Sequence, residues 1–138
     1  MKIKFKMIIK AWLITASIAA IINLVWFYIN TAKNGNPWSD VIGIIPILVM
    51  SFATIFIGSV IYWLMTFKIK KAEFIFAAFA LIIATLSVMG HPNLKDGTPV
   101  PPEFRTMDIP MHFVAGILCA FLIPIISNRG KNNLKQDV

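Results

Sequence analysis

Four stretches of this chain carry no Asp, Glu, Lys or Arg: Ala11–Ile29, Val41–Phe67, Phe74–Gly90 and Ile109–Ile126. A helix rises about 1.5 Å per residue and a bilayer's hydrocarbon core is about 30 Å thick. The first and fourth runs are close to that length. The second exceeds it and must tilt or protrude, and the third is short. Polar segments separate the runs: a turn-rich loop at 30–40, a basic turn at 68–73, a proline-rich loop at 91–108 and a tail at 127–138. Such segregation excludes an ordinary soluble domain. The chain is 58% hydrophobic and 14% charged, against roughly half and a quarter in soluble proteins. The pattern predicts an all-α membrane protein: one compact four-helix transmembrane bundle over residues 1–138, with spans at about 11–29, 41–67, 74–90 and 109–126.

The basic start followed by an apolar run also fits a secretory signal, and Ser17-Ile18-Ala19 resembles a cleavage site. A signal's apolar region is about 7–15 residues long and gives way to polar sequence. Here the largely apolar run continues to Ile29, which favours an uncleaved first span.

Charge sets the expected orientation. Ten basic residues fall on one side of a four-span topology: Lys2, Lys4, Lys6 and Lys10, three lysines at 68–71, and Arg129, Lys131 and Lys135. Three fall on the other: Lys33, Lys95 and Arg105. Basic residues concentrate on the cytoplasmic side, so both termini are expected there and the 91–108 loop outside. This predicts a multi-pass protein of the cell membrane, in bacteria the inner membrane. The net charge of +7 is then accounted for by anionic headgroups, without nucleic acid. Trp12, Tyr62 and Trp63 fall near the inner interface of this topology, and Trp26, Tyr28 and Trp38 near the outer one, where amphipathic rings concentrate.

Burying apolar surface gains little in lipid, so small residues that let helices approach are expected to face inward. Each run has a stripe of them: Ala16, Ala20, Asn23 and Asn30; Gly43, Ser51, Thr54 and Gly58; Ala77, Ala80, Ala84 and Ser87; Ala115, Gly116, Cys119 and Ala120. Cys119 is the single cysteine, so no intrachain disulfide is possible, and it reads as a small buried residue.

The most chemically loaded stretch is Arg105-Thr106-Met107-Asp108-Ile109-Pro110-Met111-His112. It sets a carboxylate and an imidazole four residues apart, on one helix face. A carboxylate can fix the tautomer of an imidazole and raise its basicity, which suits a general base, a metal ligand or a post for a polar headgroup. Asp108 also reads as an N-cap accepting the Met111 N–H. His112 reads equally as an interfacial residue bonded to a neighbouring helix. By depth, Asn23, Ser87 and His91 fall at the same outer end, and with Asp108 and His112 they could line one outward-facing cleft. His91, between Gly90 and Pro92, also reads as an exposed residue beyond its helix, and Asn23 as an interhelical hydrogen-bonding group.

No CxxCH motif and no paired histidines within a span point to haem or a metal, and no cofactor is expected. No charge at mid-depth suggests a proton-coupled carrier, and no Ser/Lys, Ser/His or HExxH arrangement in a span suggests an intramembrane protease.

The third run ends Ala84-Thr85-Leu86-Ser87-Val88-Met89-Gly90, and the fourth opens with Thr106 a few residues before Met111-His112, with Ala115 and Gly116 following. In these features the chain resembles a family of uncharacterised small bacterial four-span membrane proteins with a Met-His pair opening the last span. It departs from that pattern in its longer, proline-rich loop. The resemblance implies architecture and draws attention to Met111 and His112; it implies no activity. The functional expectation is a protein that binds a lipid, a small apolar molecule or a membrane-protein partner, a second copy included, through the outward cleft. The alternative is a membrane enzyme acting on a lipid-like substrate, with His112 as base and Asp108 orienting it.

Overall fold

The computed structural model describes residues 3–37, 39, 41–90, 93, 97–99 and 101–133, with backbone alone for 130–133. Trp38 and His91 lie outside the described residues. Four helices follow one another: α1 (Phe5–Asn34), α2 (Ile44–Lys68), α3 (Ala72–Ser87) and α4 (Pro102–Asn133). Of these, α1, α2 and α4 are long and apolar enough to cross a membrane; α3, with 16 residues, is apolar but shorter.

The helix ends follow local chemistry. α1 stops at Gly35, whose φ of 71° suits a residue without a β-carbon and whose N–H bonds the Thr31 carbonyl. Pro46 sits in the first turn of α2, where backbone N–H groups lack intrahelical acceptors. The tight turn into α3 uses Lys71 in the left-handed region, φ 61°.

α4 begins earlier than expected. Residues 102–108, expected in the outer loop, are helical. Pro102 at the first helical position and Glu103 in the first turn favour a helix start there. Phe104, Met107 and Met111 then lie on one face and are buried against Phe27, Ile42 and Ile47, forming a small second core at one end of the bundle. The larger core, around Ile8, Ile55, Tyr62, Phe76 and Ile123, fills the end near the basic segments.

α4 packs against all three other helices, whereas α1 and α3 do not touch. Contacts such as Asn23 with Ser51, Trp26 with Met107 and Ser87 with His112 make α1 antiparallel to α2 and α4, and α3 antiparallel to α4. Small residues allow the closest approaches. A β-carbon on Gly116 would lie 2.3 Å from that of Ala84, and one on Gly58 would lie 2.5 Å from the Cys119 sulfur. Ala16, Ala20, Ser51, Ala84, Cys119 and Ala120 are buried as expected, but Thr54 and Ser87 are exposed. Large apolar residues point away from the bundle, with Ile45 73% and Phe74 70% exposed. Such a surface suits lipid better than water.

Three indole N–H groups donate to main-chain carbonyls of other segments: Trp12 to Phe52 (2.9 Å), Trp26 to Met107 (3.1 Å) and Trp63 to Ile3 (3.3 Å). These tryptophans therefore hold chain segments together, and Tyr62 is buried in the larger core.

Candidate functional site

Two antiparallel helices bring Ser87, His112 and Asp108 into one hydrogen-bonded line. Ser87 is the last residue of α3, and its Oγ lies 2.9 Å from His112 Nδ1. His112 Nε2 lies 3.3 Å from Asp108 Oδ1, one helical turn back. The side chains of His112 and Asp108 are 37% and 25% exposed, so molecules outside the bundle can reach the line.

Ser87 Oγ also donates to the Ala84 carbonyl at 2.7 Å. A hydroxyl has one proton. With that proton on Ala84, His112 Nδ1–H must be the donor to Ser87. A second proton on Nε2 then faces the Asp108 carboxylate, whereas a bare Nε2 lone pair would meet it repulsively. With the hydroxyl proton directed at Nδ1 instead, a neutral imidazole donates from Nε2–H to Asp108, so the line holds in both proton arrangements.

Arg105 joins the same seam. Its Nη2–H donates to the Val88 carbonyl at 2.8 Å, at the C-terminal end of α3. A helix C-terminus carries partial negative charge, so the Arg105 cation is favourably placed there. Arg105, Asp108 and His112 stand at helical spacing on α4. That relation was readable only with residues 102–108 taken as helix, and the sequence reading gave Arg105 no role in the site.

Two expectations need correction. Asp108 is not an N-cap: it lies inside α4, one and a half turns past the helix start, and pairs with His112. Among the described residues, Asn23 also stands apart from Ser87, Asp108 and His112. Asn23 faces α2, where its Nδ2–H donates to Ser51 Oγ at a long 3.5 Å. Ser87 instead faces α4 from α3, on the far side of the bundle from α1. The Asn23 Oδ1 is buried without a hydrogen-bond partner in the structure.

No family model matches the chain, and neither a curated protein nor a solved structure matches it. Function must therefore be argued from the site alone.

A shallow groove of about 260 Å³ lies on α3, lined by Leu81, Ile82, Thr85 and Leu86. At 100° per residue its lining lies on the opposite side of α3 from Ser87, so it does not extend the polar line. Among the described residues, no three His, Cys, Asp or Glu side chains converge to hold a metal ion.

The chemistry available is more suited to binding than to nucleophilic attack. An activated serine needs a base free to take its proton. Here the Ala84 carbonyl competes with His112 Nδ1 for the single Ser87 proton. Ser87 also stands at the negative end of α3, where a developing oxyanion is disfavoured.

Proposed function

We propose that this chain is an integral membrane protein of four spans, with both termini in the cytoplasm of a bacterial cell. In this reading it binds the polar part of a lipid or lipid-like molecule at the outer end of the α3–α4 seam. The ten basic residues on one side against three on the other support the orientation. The observation that carries the binding role is the Ser87–His112–Asp108 line, partly exposed on a bundle whose outer faces are otherwise apolar. Intramembrane ionisable groups are costly and mark functional sites by default.

The test is lipid retention. The full chain is extracted in native nanodiscs and its bound lipid measured by native mass spectrometry. His112→Ala removes a charge-assisted partner and is expected to lower specific lipid retention by about tenfold or more. A His112→Gln variant, which keeps one hydrogen bond, should be intermediate. Equal retention in all three folded proteins would reject the site.

A second reading, a membrane enzyme acting on an ester-bearing lipid, is favoured by one distance. Ser87 and His112 lie 2.9 Å apart, within reach for general-base catalysis. Covalent labelling of Ser87 by a fluorophosphonate, abolished in His112→Ala, would establish that reading over the first.

A further inference from the structure

The depth of the Ser87–His112–Asp108 line identifies the part of a lipid that it meets. Lys68, Lys70 and Lys71 are exposed just before α3 and set the headgroup level at the basic end. From there, the 16 residues of α3 reach Ser87 about 24 Å away, and tilt can only shorten that distance. α4 gives the same depth independently: the run from exposed Arg129 back to His112 is about 25 Å. Both values fall short of a hydrocarbon core of about 30 Å. Apolar surface also continues on either side of the line. Leu86 is 55% exposed and Met89, beyond Ser87, is 64% exposed. In the four-span reading proposed above, the polar line then lies at the upper edge of the acyl region, below the phosphates. A short helix draws the bilayer surface toward its end, which brings the glycerol-ester level to Ser87.

We infer that the ligand is an acyl-ester lipid of the outer leaflet, and that the Ser87 hydroxyl donates to its ester carbonyl. This rests on the lipid-binding reading above. Ser87 is the member of the line able to redirect a proton without breaking it. In the arrangement where His112 Nδ1–H donates to Oγ, the hydroxyl can turn from the Ala84 carbonyl to the ligand without losing that bond. The Nδ1–H bond polarises that hydroxyl and strengthens the bond it donates. Asp108 holds the imidazole, and Arg105 fixes the end of α3 through Val88.

Diester and diether phospholipids of the same headgroup and chain length separate this inference from the broader one, since the ether lacks the carbonyl. The full chain is reconstituted in nanodiscs containing an equimolar mixture of the two, and retained lipid is measured by native mass spectrometry. The wild type should be enriched in the diester by about two- to tenfold, the worth of one hydrogen bond. Ser87→Ala should carry both in the mixing ratio, and Ser87→Thr, which keeps a hydroxyl, should retain the preference. If the wild type shows no preference while His112→Ala still loses lipid, the ester assignment is overturned and lipid binding stands. If the wild type retains no specific lipid, both fall.

Discussion

Gly116 faces Ala84 so closely that a β-carbon on the glycine would stand 2.3 Å from that of Ala84. Real β-carbons do not approach that near, so Gly116→Ala must drive α3 and α4 apart. The expected cost is about 1–3 kcal/mol, the usual range for overpacking. Thermal unfolding in detergent measures it. Ala84→Gly in the same background should recover much of the loss, and a Gly116→Ala protein that melts like the wild type would contradict the packing.

Trp26 ties α1 to α4 through the Met107 carbonyl. Trp26→Phe keeps most of the ring and removes the donor. It should lower stability by about 1 kcal/mol and raise amide exchange in the first turns of α4. Unchanged exchange there would mean that Met111, Met107 and Phe104 hold this end without the indole.

The Ser87 end of α3 is hydrogen-bonded to α4 by two side chains, His112 at Ser87 and Arg105 at Val88. Arg105→Met should therefore speed hydrogen exchange over residues 84–88 while leaving the basic end of α3, around Phe76, protected. Faster exchange along the whole helix would instead indicate general unfolding.

Orientation is open to chemical labelling. Glu103 and Lys70 are both exposed and lie at opposite ends of the bundle. In a Cys119→Ala background, Glu103→Cys should react with an impermeant thiol reagent on intact cells. Lys70→Cys should react only after the membrane is opened. The reverse pattern would invert the topology.

Much of the architecture was legible in the sequence because apolar runs report height along the bundle. Gly58, Ala84, Gly116 and Cys119 were readable as close-packing positions because small residues at helical spacing have few other uses in lipid. Two things were not legible. Four prolines suggested an extended loop, yet Pro101 and Pro102 introduce a helix, and the spacing of Phe104, Met107 and Met111 was the overlooked sign. Position along a chain also gives depth without azimuth. Asn23 and Ser87 share a depth, but α1 and α3 stand on opposite sides of α4 and α2. Which helices are neighbours depends on contacts between distant residues, such as Trp26 with Met107, that no local pattern reveals.

α4 makes most of α3's contacts, and it follows α1, α2 and α3 along the chain. Until it arrives, α1 and α2 can pair, but α3 has only its limited contact with α2. The polar end of α3 meets neither Arg105 nor His112 during that interval. On the four-span reading, synthesis passes through a three-helix intermediate in which α3 lacks most of its contacts. A stop codon ahead of Pro102 would leave that intermediate as the final product, exposed to membrane quality control.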